Sequence, residues 1–113
     1  MINHSHSVAA DASRQALERV IPTGLFIRTQ NPISLADSEP EPDLAVIRGR
    51  IRDYGRRHPG APDVGLVMEI SDTSLDRDRL AKKRIYAEAR IPRYWLLDLN
   101  ERKLEVYSGT TRG

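Results

Sequence analysis

Val64-Gly65-Leu66-Val67-Met68-Glu69-Ile70 is the most apolar run of the chain, and a single carboxylate, Glu69, sits near its end. A run this short suits a buried strand. Alternation puts Val67, Glu69 and Ser71 on one face and Leu66, Met68 and Ile70 on the other. An ionised carboxylate is expensive to bury alone, so Glu69 requires a cation, strong donors or a raised pKa.

Upstream, the polar loop from Asp37 to Pro42 delivers the chain into Asp43-Leu44-Ala45-Val46-Ile47, a second strand with Asp43, Ala45 and Ile47 on one side. If the two strands are neighbours, Asp43 and Glu69 converge on one hard cation. Mg²⁺ takes oxygen ligands and uses only one or two carboxylates, leaving positions for water and phosphate. The pair Pro62-Asp63 competes with Pro42-Asp43 for this role. Asp63 precedes Glu69 on what reads as the same strand, roughly 20 Å away at about 3.3 Å per residue, so it is assigned to a turn or strand start.

Downstream, Asp72-Thr73-Ser74 offers caps for a helix running to about Arg90, which Pro92 stops. On its wheel Ala81, Ile85 and Ala89 mark a core-facing stripe with Lys82 and Tyr86 at the edge, while Arg79, Lys83, Arg84 and Arg90 point to more exposed directions. An amine aimed at a carboxylate pair can steady charge developing on a phosphorane. For Lys82 alone, a snorkelling lysine or a plain pair with Asp78 is the simpler account.

The remaining pattern is a helix over about 7–21 built on Val8, Ala9, Ala12, Ala16, Leu17 and Val20, then strands at Leu25 to Thr29 and Ile33 to Leu35. After the second helix come Tyr94 to Leu99 and Lys103 to Tyr107, a hairpin around Asn100-Glu101 with Tyr94 and Trp95 in the core. Helix, several strands, helix and two strands make a mixed sheet with helices against it, an α/β arrangement in a single domain over 1–113.

Composition bounds the partners. The chain has 113 residues, room for one modest core, and a net charge of only +2, so no global field advertises nucleic acid. The basic bias is local: Arg48, Arg50, Arg52, Arg56 and Arg57 face one acid, Asp53, in a stretch broken by Gly55, Pro59 and Gly60. It reads as an exposed loop first and a nucleic-acid clamp second. The absence of cysteine excludes disulfides and thiolate metal sites. No apolar stretch suits a membrane span and the N-terminus lacks a secretory layout, so a cytoplasmic location is the expectation. His4 and His6 read as surface residues.

Taken together, Glu41-Pro42-Asp43-Leu44-Ala45-Val46, Leu66 to Ser71, Lys82 to Ala87 and Ile91-Pro92-Arg93-Tyr94-Trp95-Leu96-Leu97-Asp98 resemble the bacterial Uma-two family of restriction-endonuclease-like proteins, within the PD-(D/E)XK nuclease superfamily. The resemblance runs from about His4 to Tyr107. It implies a restriction-endonuclease-like fold, here in a shortened version, with Asp43 and Glu69 as metal ligands and Lys82 as the amine. The superfamily's usual lysine position falls on Ser71, and Lys82 on the following helix matches the family's relocated amine. Departures are the absent acidic residue ahead of the first helix, no further sheet after Tyr107, Arg90 where glycine is typical, and Arg93 where an acid is typical.

The leading expectation is therefore a Mg²⁺-dependent DNA endonuclease, with Mn²⁺ able to substitute. Asp43, Glu69 and Lys82 are its catalytic set, and a homodimer is one way to complete a short core. The rival is a catalytically inactive nuclease-fold module that binds nucleic acid or a protein partner, and a third reading is a purely structural oligomer.

Overall fold

The computed structural model describes residues 4–72 and 76–108. Helix α1 (His4–Glu18) leads into strands β1 (Leu25–Thr29) and β2 (Leu44–Arg48). Two single 3₁₀ turns, Ile51–Tyr54 and Ala61–Asp63, precede β3 (Val64–Ser71), and helix α2 (Asp76–Glu88), β4 (Arg93–Asp98) and β5 (Lys103–Ser108) follow. The strands form one sheet in the order β1-β2-β3-β4-β5. Only β3 and β4 are parallel, and α2 supplies the crossover that a parallel pair needs. The α/β class expected from the element pattern is the one observed.

Each face of the sheet carries its own apolar cluster. On one, Leu17 of α1 packs with Leu44, Val46, Leu66, Met68 and Ile70. On the other, Tyr86 of α2 packs with Ala45, Ile47, Val67, Tyr94 and Leu96, closed by Ile91. Alternation along β2 and β3 assigns these faces correctly, except at the start of β3. There Ile47 pairs with Val64 while Val46 pairs with Leu66. The additional residue, Gly65, makes a bulge that returns Val64 to the Val67 face.

Several element limits differ from the sequence reading. Helix α1 begins at His4 and ends at Glu18, because apolar periodicity marks where packing starts and not where backbone hydrogen bonding starts. Its inward stripe also differs: Val8 and Val20 are 67% and 73% exposed, and Leu17 is the residue that is buried. Ile33 to Leu35 forms no strand, only an isolated parallel bridge between Ser34 and Gly60, although Ile33 is fully buried.

Helix α2 stops before Pro92. The Arg90 N–H bonds the Ala87 carbonyl, the Ile91 N–H reaches back to the Tyr86 carbonyl at 3.1 Å, and Arg90 itself lies at φ 63°. This is the left-handed helix end that glycine usually supplies. The capping expectation for Thr73 and Ser74 lies outside the described residues. Among the described residues no helix is long and apolar enough to cross a membrane.

Candidate active site

The geometry of the site follows from the β2–β3 ladder. Leu44 pairs with Met68, so one step further along the antiparallel register Asp43 comes opposite Glu69. The Asp43 carboxylate then accepts the Ile70 N–H at Oδ2, 2.7 Å away, which fixes its direction across the strand end. Glu69 lies on the face covered by α2, where it is only 4% exposed. Its Oε2 accepts the Tyr86 hydroxyl at 2.7 Å and its Oε1 lies 3.5 Å from Lys82 Nζ. Asp43, Glu69 and Lys82, three residues distant in sequence, thus meet at one end of the sheet.

Burial dominates the electrostatics of Glu69 and raises its pKa to about 7, with Lys82 and the Tyr86 hydrogen bond opposing and the neighbouring Asp43 carboxylate adding to the rise. Burial also raises the Tyr86 hydroxyl, as does its contact with Glu69, so it stays protonated and donating.

The inward side of α2 corrects the wheel reading. Ile85 is 36% exposed and Ala81 is exposed, while Tyr86 is 1% exposed and Lys82 and Arg79 turn toward the sheet. The helix presents polar side chains inward because what it covers is Glu69 and Asp98 rather than a purely apolar face. Arg79, expected to point outward, has only 19% of its side chain exposed. It lies 3.4 Å from the Asp98 carboxylate and also donates to Glu105. Asp98 is itself 1% exposed and holds the β4–β5 turn by accepting the Glu101 N–H. The side chain of Asp78, weighed as a partner for Lys82, lies outside what is described.

His6 is the residue that sequence reasoning missed. It is not a surface group: its side chain is 12% exposed and its Nε2 lies 3.3 Å from Asp43 Oδ1. The signal was present in the spacing, since His6 and Leu17 are eleven residues apart, three helical turns, and share the inward stripe. His4 is exposed as expected.

The basic stretch lies elsewhere. Arg48 ends β2, whereas Asp43 precedes its start, so the two are separated by roughly 16 Å of extended chain. Arg48 Nε donates to the Pro62 carbonyl, and Arg57 donates to Asp63 at 2.8 Å with its guanidinium 5.0 Å from the centre of the Tyr54 ring. Arg50, Arg52 and Arg56 are exposed on the same loop. Asp63 also accepts the Gly60 N–H, and the Arg57 hydrogen bond keeps its carboxyl low, so it shapes the turn before β3.

Between α2 and the ends of β3 and β4 lies a cavity of about 130 Å³, lined by Glu69, Ser71, Arg79, Lys82 and Tyr94 among others. Among the described residues no group of three or more His, Asp or Glu side chains stands as a preformed metal cluster. The donor set that is present, two adjacent carboxylates with open space alongside, still matches the one or two carboxylates a Mg²⁺-type ion takes.

The comparisons agree with this architecture. A putative nuclease of the DUF820 group from Anabaena variabilis has the same fold, with a TM-score of 0.73 at 17% identity over 96% of this chain. The chain spans 64% of the length of that protein. No curated protein matches. The sequence pattern of the Uma2 family, described as putative restriction endonuclease, matches residues 3–113. The chain belongs to the Uma2 family.

Proposed function

We propose that this chain is a nuclease domain that hydrolyses DNA phosphodiester bonds with a divalent cation, Mg²⁺ or Mn²⁺. The observation that carries the reading is Glu69: a carboxylate 4% exposed, set opposite Asp43 and 3.5 Å from the Lys82 amine. Such a carboxylate is costly to bury for structure alone, and the chain surrounds it with another acid, a cation and a hydroxyl.

Asp43 and Glu69 would hold the ion through oxygens on neighbouring strands. When bound, a divalent cation lowers the pKa of a water and neutralises phosphate charge. The Ile70 N–H and His6 hold the Asp43 carboxylate in place. Tyr86 orients Glu69, and Lys82 places a positive charge beside the cavity where an oxyanion develops. Positions on the ion that the two carboxylates leave would be open to water and phosphate oxygens. The exposed arginines of the 48–57 loop lie at the far end of β2 and serve this reading as phosphate contacts outside the reacting centre. A homodimer and a cytoplasmic location belong to the same proposal.

The test is cleavage of supercoiled and linear DNA by the purified chain with Mg²⁺ or Mn²⁺. Cutting that is lost in both Glu69→Ala and Lys82→Ala supports the reading; cutting that survives both sinks these roles. Titrating Mn²⁺ calorimetrically distinguishes the rival, because a catalytically inactive module has no metal site that Asp43→Ala abolishes.

A further inference from the structure

Three tyrosine rings run from the buried face of the sheet toward its β5 edge. The centroids of Tyr86 and Tyr94 are 5.2 Å apart, and those of Tyr94 and Tyr107 are 5.9 Å apart with planes 16° from parallel. The β4–β5 register sets Tyr94 directly opposite Tyr107, so the series follows from the strand pairing. Tyr86 and Tyr94 are buried, whereas Tyr107 is only partly covered. The amine of Lys83 on α2 lies over this last ring, 4.0 Å from its centre.

Beside the ring, between α2 and the β4–β5 pair, lies a second cavity of about 330 Å³. Its walls are Arg79, Leu80, Lys83, Leu96, Glu105 and Tyr107. Arg79 and Leu96 also line the smaller cavity beside Glu69 and Lys82, so the two spaces adjoin. The second cavity has solvent-exposed walls: Leu80 is 62% exposed, and Lys83 is exposed as well. An aromatic ring, two apolar side chains and a cation around one open space are the parts that hold a flat π-bearing group next to an anion.

We propose that this second cavity is a nucleobase subsite, in which a base of an unpaired DNA strand stacks on Tyr107. The subsite rests on the nuclease reading for its ligand: a strand whose phosphate lies in the smaller cavity has a sugar and base alongside. Base–aromatic stacking is stronger than an exposed cation–π contact, so an entering base displaces Lys83 from the ring. The flexible stem of the lysine then lets its amine follow the phosphates of the strand. The Glu105 charge is met inside the fold by Arg79 and by the Tyr107 hydroxyl, which lowers its cost to an approaching strand. A base inside a duplex is covered on both faces by its neighbours and cannot stack on Tyr107. The subsite therefore selects single-stranded or locally opened DNA.

The experiment uses the whole chain carrying 3-fluorotyrosine, with EDTA present so that no strand is cut. The four tyrosines give four ¹⁹F signals, assigned by single Tyr→Phe variants. A short single-stranded oligodeoxyadenylate, the same strand paired with its complement, and inorganic phosphate are titrated in separately. The expected result is saturable movement of the Tyr107 signal with the single strand, far less with duplex or phosphate, and none at Tyr54 on the far loop. In fluorescence anisotropy, Tyr107→Leu is expected to weaken single-strand binding about fivefold or more, while Tyr107→Phe, which keeps the ring, binds like wild type. A single strand that does not bind, or that saturates and leaves the Tyr107 signal still, overturns the proposal. So does a signal that moves as far with phosphate alone or with duplex, and so does a folded Tyr107→Leu protein that binds as before. If that variant fails to fold, the wild-type signals decide alone. Cleavage with Mg²⁺ or Mn²⁺ is measured separately. Stacking at Tyr107 without metal-dependent cutting upholds the subsite and overturns hydrolysis as proposed, and cutting with an unmoved Tyr107 does the reverse.

Discussion

The Tyr86 hydroxyl donates to Glu69 Oε2 at 2.7 Å, joining the middle of α2 to the buried acid on β3. The bond favours the ionised form of Glu69 and works against the burial that raises its pKa. Tyr86→Phe removes the donor and keeps the ring. The expected outcome is a Glu69 midpoint above 7, seen as an upward shift in the pH at which Mn²⁺ begins to bind. Stability falls by about 1–2 kcal/mol in chemical denaturation above neutral pH, where the bond is to a charged acceptor.

Metal affinity and stability respond to pH in opposite senses through this same group. Glu69 must lose its proton to bind a cation, so Mn²⁺ affinity rises by up to about tenfold per pH unit below 7 and levels off above it. Without metal, a folded-state pKa raised from 4.5 to about 7 gives stability that is fully present below pH 4.5 and is lost as the pH rises through 7. The loss amounts to about 3 kcal/mol. Urea denaturation of wild type and Glu69→Gln at pH 5 and pH 8 measures it: the variant, neutral throughout, lacks this share of the pH dependence.

Lys82 separates metal binding from turnover. With its amine 3.5 Å from Glu69 Oε1, it is a competitor for the carboxylate as well as a source of positive charge. Lys82→Ala is expected to keep or improve Mn²⁺ affinity at pH 8 while cutting DNA cleavage by about 100-fold or more. Calorimetry and a plasmid-nicking assay on one preparation read both quantities.

Arg90 carries the backbone cost of the helix end. At φ 63°, with its side chain exposed, it occupies a conformation in which a β-carbon is strained. Arg90→Gly is expected to raise stability by roughly 0.5–1 kcal/mol, relief of strain outweighing the freedom glycine adds to the unfolded chain. Thermal denaturation of the two proteins, with a shift of about 2–5 °C, is the check.

The sheet was legible because its signals are local. Gly, Pro and Asn breaks bracket short apolar runs, and the faces of Asp43 and Glu69 follow from alternation. The Asp43–Glu69 pairing was legible only on the condition that the two strands are neighbours, and their antiparallel register belongs to the folded sheet. The helices were less legible. Counting apolar residues on α2 chose Ala81, Ile85 and Ala89 with Lys82 and Tyr86 at their edge. The sheet beneath takes Lys82 and Tyr86 as read, but it draws in Arg79 where Ala81 and Ile85 were expected, because it offers carboxylates. The same bias hid His6, whose burial is set by Asp43 across the fold. A histidine or arginine turned inward leaves no hydrophobic trace, and its partner is known only once the strands are ordered. Gly65 could be read as a residue that interrupts a strand, but the register it shifts belongs to the pair it makes with β2.

Among its described residues helix α2 buries one large side chain, Tyr86, and leaves Leu80 mostly exposed and Ile85 about one-third exposed. What fastens it to the sheet is therefore a set of polar clasps: Tyr86 and Lys82 on Glu69, and Arg79 on Asp98 and Glu105. Whatever occupies or titrates Glu69 must compete with two of these clasps. The reacting centre and the cover over it thus share one balance of forces, and the helix becomes the part of the molecule that registers whether the centre is engaged.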